Sequence, residues 1–580
     1  VGGAINLLST PIPQALSGFA NLEFGENSEQ RQHFWYGGMQ GQWGFLVETH
    51  QHETDGFHSI DRSARDTGFD KQDYMVKLRW QSADGAALPQ RLDLKLNYAE
   101  EVSNASYLGV TDAQFKRDPY RRYGVTDLDR MDNRQKGAVL RHWVGFSDTL
   151  ALTTTVYRNE FERAWYKLDR IAGQGLASVI SDANNGVGSA LAILEGTADV
   201  ANIRIKDNAR DYYGEGIQFE LNGRFTTGEL RHEWLAGARW HEDEADRFQI
   251  VDVFDQVNGS LVFQNRIQPG SSDNRIEEAE ALSLWLEDRI SAGDLELTLS
   301  LRREDVASAF TRYAALDRSA VASRGGNDTD EWLAGVGATY QLSEQWLLLA
   351  GVHQGFAPAG AGSTQGTGPE KSVNYEAGVR YRGVDHGFDA ILFYSDFENT
   401  VTNCSFAFPC AGNVTSGTES QGESVIAGIE LSADAVLWRG AAFAVPARLS
   451  YTYTDAEHTR DSDTSSVRDG DVLQYLPENV LSLRAGVEHG SGWTVYLEAS
   501  YVDEMCIDTT CGRRGVNDRY LTTDAHWVVD LSASYPLNDS VDIYAKLDNL
   551  LDDESIVARS PAGARVNKPR TGYLGVRLAF

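Results

Sequence analysis

Gly572-Tyr573-Leu574-Gly575-Val576-Arg577-Leu578-Ala579-Phe580 closes the chain as an alternating strand with a terminal aromatic, and its period carries the fold. The same period of two recurs upstream. In Val541-Asp542-Ile543-Tyr544-Ala545-Lys546-Leu547 the residues Val541, Ile543, Ala545 and Leu547 share one face, and Asp542, Tyr544 and Lys546 share the other. Stretches 92–98 and 493–499 alternate likewise. A soluble antiparallel sheet would alternate in this way too, so the connections decide between a sheet and a closed wall.

Tight turns such as Ser82-Ala83-Asp84-Gly85, Ser291-Ala292-Gly293-Asp294, Leu342-Ser343-Glu344-Gln345 and His489-Gly490-Ser491-Gly492 alternate with long polar stretches. After a short first loop at 25–30, the long stretches fall at 54–71, 101–134, 162–211, 242–276, 305–330, 355–372, 399–424, 456–477, 505–524 and 550–568. Counting strands between these boundaries from residue 14 gives 22, an even number. The expected fold is all-β: a 22-stranded antiparallel transmembrane β-barrel with short periplasmic turns and long extracellular loops. Closure answers a physical problem, since an open edge in lipid leaves N–H and C=O groups unpaired. A propeller would need a repeated blade motif, and none is found. A general porin fits less well, because 22 strands enclose a lumen too wide to leave unfilled.

Composition narrows the partners. The 580 residues carry 52 Lys and Arg against 84 Asp and Glu, a formal net charge of -32. Such a surface makes nucleic acid a poor partner, although a local basic pocket remains allowed. No run of 18 apolar residues exists for a helical span. The four cysteines form two close pairs, Cys404 with Cys410 and Cys506 with Cys511, with no histidine nearby except His526. These spacings suit two local disulfides in the eighth and tenth loops, counting the short first one, better than one zinc site, and so an oxidising compartment.

Val1-Gly2-Gly3-Ala4-Ile5-Asn6-Leu7-Leu8-Ser9-Thr10-Pro11-Ile12-Pro13 resembles the closing strand of the plug domain in TonB-dependent outer-membrane receptors. Asp548-Asn549-Leu550-Leu551-Asp552, followed by the strand ending at Phe580, resembles the C-terminal signature of that family. Within it, the Ile12-Pro13 exit, residues 157–167 and residues 369–378 look most like the ferric dicitrate receptor branch. The resemblance implies residues 1–13 as the last segment of an otherwise missing plug and 14–580 as the barrel in a Gram-negative outer membrane. It also implies energy coupling through TonB-ExbB-ExbD by way of the missing N-terminal region, contact with lipopolysaccharide and lipid, and no catalysis. Iron is expected only as part of the transported ligand, with no resident cofactor.

The candidate ligand surface is read from side-chain chemistry. Arg117, Tyr120, Arg121 and Arg122, with Tyr123, Arg130 and Arg134, gather guanidinium groups among aromatics in an acidic protein. Arg163, Trp165, Tyr166, Lys167 and Arg170 repeat that chemistry in the next long loop. Arginine forks pair bidentately with carboxylates, so the two stretches are expected to form an electropositive mouth for an anionic ferric chelate. The plainer reading pairs them with loop carboxylates or lipopolysaccharide phosphates. His50-x-His52 and His232-x8-His241 are weaker metal-ligand candidates, with solvated lumen or loop residues as the simpler account. The expected function is TonB-dependent import of a ferric chelate, citrate-like or another carboxylate-rich siderophore. Haem, cobalamin or an oligosaccharide is the alternative cargo, and a passive pore or adhesin the third reading.

Overall fold

The computed structural model describes residues 6–360, 363, 368–404, 418–462 and 465–580. In chain order the wall begins with β1 (Ser17–Gly25), β2 (Gln30–Gln40), β3 (Trp43–Thr54), β4 (Phe69–Gln81), β5 (Gln90–Ser103), β6 (Arg130–Ser147) and β7 (Leu150–Ile171). It continues through β8 (Arg210–Thr227), β9 (Leu230–Phe248), β10 (Asn274–Ala292), β11 (Leu295–Tyr313), β12 (Val321–Gln341), β13 (Trp346–Ala357) and β14 (Glu370–Arg382). The last part is β15 (His386–Asn403), β16 (Thr418–Arg439), β17 (Phe443–His458), β18 (Asn479–His489), β19 (Thr494–Val502), β20 (His526–Asn538), β21 (Val541–Asp548) and β22 (Thr571–Ala579). These 22 strands, with four short loop strands, make up one 26-stranded sheet.

Each strand pairs antiparallel with the next, and β1 closes the ring on β22, with Phe24 opposite Leu574 and Leu22 opposite Val576. The terminal strand singled out in the sequence is therefore the closing one. Gly575 is required there, because a Cβ on it would lie 2.2 Å from the Tyr544 ring that packs over it from β21.

Cross-strand register separates the two faces. Val47, Val76 and Leu96 are direct neighbours on β3, β4 and β5, and all three are exposed on the outside. Leu299, Val336, Val352, Tyr375 and Tyr394 continue such a row on β11 to β15. Apolar side chains exposed in rows around a closed wall are what lipid contact requires. The residues between them face the lumen: Glu48, His50 and His52 on β3, and Lys77 and Arg79 on β4. Ser9 and Thr10 run along this inner face, where Lys77 Nζ donates to both their carbonyls and Thr10 Oγ1 donates to Glu48 at 2.6 Å.

Several stretches expected as loops are wall. The stretch 305–330 is a short connection between β11, which runs to Tyr313, and β12, which starts at Val321. β7 runs to Ile171, β8 starts at Arg210, β9 reaches Phe248 and β10 starts at Asn274. The sheet simply continues above the apolar band with polar and apolar residues mixed on its faces.

The apolar core is in the long loops, not in the lumen. Leu108, Val110, Phe115, Leu176, Val179, Ile180, Leu194, Ile203, Phe254, Ile556, Ala564 and Val566 belong to one buried cluster. Its helices are α1 (Asp112–Phe115), α2 (Leu176–Asn184) and α3 (Ala190–Leu194). α2 buries Leu176, Val179, Ile180 and Ala183, one face at helical spacing. Bridges Leu108 to Ala562 and Val110 to Ala564 join the loop between β5 and β6 to the last. Arg559 fixes the junction with a bidentate pair to Asp112 at 2.8 and 3.0 Å. Cys506 is bonded to Cys511. Cys404 is disulfide-bonded as well, whereas Cys410, with Phe406 and Phe408, lies outside the described residues.

Candidate anion-binding site

The predicted surface residues occupy three kinds of position. Arg121 is held by Asp61 in a forked contact, Nε at 2.9 Å and Nη2 at 2.9 Å. Arg122 is buried and donates to Thr126 Oγ1, the Thr126 carbonyl and the Asn104 carbonyl. Ligand contact by either would require exchange of those partners. Tyr120 packs on Phe57, and Arg117 is exposed just beyond α1. Tyr166 donates to Asp252 at 2.9 Å, and Arg170 donates to the Gly173 carbonyl at 3.2 Å. Trp165 donates from Nε1 to the Ala105 carbonyl at 3.2 Å and packs edge-on against Tyr107. Lys167 is 1% exposed, its ammonium 3.2 Å from the centre of the Tyr107 ring, and burial pushes its pKa down to about 7. Arg117 apart, these residues hold the packed loops together. Arg163 is different.

Arg163 on β7 stands directly opposite Arg210 on β8, Arg210 opposite Arg247 on β9, Arg247 opposite Arg275 on β10, and Arg275 opposite Arg312 on β11. Five arginines thus form one rung across five adjacent strands, all on the lumen face. The register comes from the hairpin turns. Arg210 and Arg247 are equally far from Thr227 and Leu230, which flank Gly228-Glu229; Arg275 and Arg312 are equally far from Ala292 and Leu295, which flank Gly293-Asp294. Gly228 and Gly293 have φ of +63° and +61°, as the first centre of a two-residue hairpin turn requires.

Like charges directly opposite in a sheet destabilise it, so the rung needs anions. The protein supplies few. Glu277 lies 2.8 Å from Arg247 Nη2 and 3.1 Å from Arg275 Nη2, and Asp273 lies 3.6 Å from Arg275 Nε. Among the described residues Arg210 bonds only neutral groups, Asn208 Oδ1 at 3.3 Å and the Tyr212 hydroxyl at 3.1 Å. The buried Nε atoms of Arg163, Arg247 and Arg275 have no hydrogen-bond partner among the described residues. Burial, then the neighbouring Arg210 and Arg275, push Arg247 down to about 10; burial and Arg210 also lower Arg163. Arg275 is buried and ion-paired, whereas Arg163 and Arg210 are half-buried without a carboxylate partner among the described residues, and such guanidinium groups are matched to carboxylate or phosphate oxygens.

The outward face carries the opposite sign at the same height. In Glu162-Arg163, Arg210-Asp211 and Asp246-Arg247 the pleat sends arginine inward and carboxylate outward, and Asp211 is opposite both Glu162 and Asp246. The wall is polarised, positive toward the lumen. The four arginines beyond Arg163 lie in stretches the sequence reading assigned to loops, where no register exists. Their equal distances from the glycine turns were the signal available.

The histidines divide by parity. His33 and His50 are opposite each other on β2 and β3, ring centres 5.8 Å apart, and His52 is next on the same inner face. His33 is 2.7 Å from Glu48 and His52 2.9 Å from Glu29. His232 and His241 are an odd number of residues apart on β9 and face opposite sides, His232 to Asp288 and His241 to the Tyr157 hydroxyl. Among the described residues no group of three or more His, Cys, Asp or Glu side chains is arranged to hold a metal ion. A separate cleft of about 570 Å³, lined by Ile180, Asn184, Tyr475, Tyr520 and Arg559, opens between α2 and the last loops. Its charged groups are few and it lacks the rung's excess of cations.

The family model for "TonB dependent receptor-like, beta-barrel" matches residues 177–550. The pesticin receptor of Yersinia enterocolitica is 24% identical over 276 residues, covering 44% of this chain and 37% of the relative. The probable TonB-dependent siderophore receptor PiuA of Acinetobacter baumannii is 21% identical over 388 residues, covering 58% and 48%. The chain thus spans less than half the length of these relatives. The unliganded ferric citrate transporter FecA superposes with a TM-score of 0.76 at 18% identity, over 100% of this chain and 81% of that one, a likeness of fold.

Proposed function

This chain belongs to the TonB-dependent receptor β-barrel family, and from that premise we propose that it imports a ferric chelate bearing carboxylate groups, citrate-like in chemistry. The observation that carries this reading is the inward rung of Arg163, Arg210, Arg247, Arg275 and Arg312 in a protein of net charge -32. A cation excess at the lumen mouth attracts a multiply charged anion and rejects a neutral one of the same size. Among the relatives is a receptor named as a probable siderophore receptor, which supports iron chelates as the cargo class. Residues 1–13 are read as the exit of a plug, and coupling as running through TonB-ExbB-ExbD. The iron enters and leaves with its chelator.

The mechanism follows from binding physics. The rung captures the anionic face of the chelate, and the Tyr212 hydroxyl lies beside Arg210 on the same inner wall. A site that holds a scarce ligand tightly also releases it slowly, which makes energy input necessary for transfer. Binding of ferric citrate to the receptor and to an Arg163→Gln/Arg210→Gln variant tests the reading. Equal affinity of the two for ferric citrate would remove the rung from the account.

A further inference from the structure

The five-arginine rung is not uniform, and the carboxylate shared by two of its members sets its ends apart. Glu277 is a buried carboxylate on β10, one inward-facing position from Arg275, and it sits within ion-pair distance of both Arg247 and Arg275. The residue opposite it on β9 is the small Ala245, so the β9 side chain it meets is that of Arg247. Asp273 adds to the negative charge at Arg275. Arg163 and Arg210, at the β7 and β8 end, have no carboxylate in ion-pair contact among the described residues; Arg210 meets only Asn208 and Tyr212.

We propose that the rung is two unequal seats for the carboxylates of one ligand, and that Glu277 is the residue that makes them unequal. This rests on the reading that the rung meets a carboxylate-bearing ligand. The Arg163–Arg210 seat is uncompensated and takes the first carboxylate. At the Arg247–Arg275 seat Glu277 already lies within ion-pair distance of the Nη2 of each guanidinium, and a second ligand carboxylate meets both the remaining N–H groups of the more open Arg247 and the repulsion of Glu277. A monocarboxylate uses only the first seat, whereas a di- or tricarboxylate reaches the second against that repulsion. Glu277 thus sets how much a second carboxylate adds to affinity, and keeps a polycarboxylate releasable.

The test is calorimetric titration of the full chain with free citrate and with acetate, each against wild type, Glu277→Gln and Arg163→Gln/Arg210→Gln. Glu277→Gln is expected to tighten citrate about tenfold and leave acetate unchanged, the size expected for one charge-assisted contact freed of competition. Glu277→Asp, with its carboxylate drawn back, is expected to fall between wild type and Gln, and serves if the Gln variant does not assemble. Citrate affinity unchanged or weakened in both Glu277 variants would overturn the proposal. Tightening of acetate as much as citrate would overturn it also, since the seats would then be equivalent. The double arginine variant separates the two layers: if it binds citrate as wild type does, the carboxylate reading of the rung fails, whatever Glu277 does.

Discussion

Arg163 stands directly opposite Arg210 on the inner faces of β7 and β8, while their chain neighbours Glu162 and Asp211 stand directly opposite each other outside. One hairpin register therefore sorts charge by sign across the wall. A slip of one residue would exchange the faces and put the arginines outside.

Replacement of Arg163 and Arg210 by Gln is expected to weaken binding of an anionic chelate by about tenfold or more, since a charge-assisted hydrogen bond contributes about 1.5–3 kcal/mol. The wild-type affinity should also fall more steeply with added salt than that of the variant, because screening acts on the charges removed. Barrel assembly, read by heat-modifiable migration on gels, should not suffer, since removing opposed like charges relieves repulsion.

The closing seam has a pH dependence of known sign. Burial works to raise the Glu29 carboxyl, but hydrogen bonds from His52 and the Tyr573 hydroxyl, with Lys568 and Arg31 nearby, bring it down to about 2. A carboxyl depressed in the folded state stabilises above its unfolded pKa, near 4.5, and that contribution is lost as pH falls from there toward about 2. The shift corresponds to about 3 kcal/mol. Thermal melts at pH 6 and pH 2.5 should differ less in Glu29→Gln than in wild type. An unchanged difference would contradict this role.

The loop cap depends on the pair Arg559–Asp112, both side chains largely buried. Removing one partner of such a pair leaves an uncompensated charge and costs about 3–5 kcal/mol locally. Asp112→Asn is expected to speed proteolysis within residues 176–194 without altering the melting of the barrel. Cleavage at the wild-type rate would show that the apolar cluster alone holds the cap.

Non-reducing peptide mapping should recover Cys506 linked to Cys511, as the structure has them. We expect Cys404 linked to Cys410 in the same map. Alkylation of any of the four without reduction would contradict the pairing.

The sequence carried the wall more fully than the site. Alternation in 541–547 and 572–580 gives strands β21 and β22, and the rhythm of turns gives the strand number, because a pleat has one period and a hairpin turn has recognisable residues. The ends of the strands were not visible: above the lipid polar and apolar residues mix on both faces, so β11 from Asp305 to Tyr313, with Val306 and Phe310 beside Ser308 and Arg312, reads as loop. The same blindness hid the rung. Arg163 was picked out for its company with Trp165 and Tyr166, which proves to be loop packing, while Arg210, Arg247, Arg275 and Arg312 join it through pairing between strands far apart in sequence. Arg121 and Arg122 show the converse, since composition cannot reveal that Asp61 and Thr126 are already their partners.

The most direct measurement is equilibrium binding to the purified receptor across ferric citrate, a panel of other ferric siderophores, haem and cobalamin at fixed ionic strength. Tightest binding is predicted for an anionic, carboxylate-bearing ferric chelate, with affinity that falls as salt is added. Preference for a neutral or iron-free compound, insensitive to salt, would leave the barrel standing and contradict the cargo assigned to it.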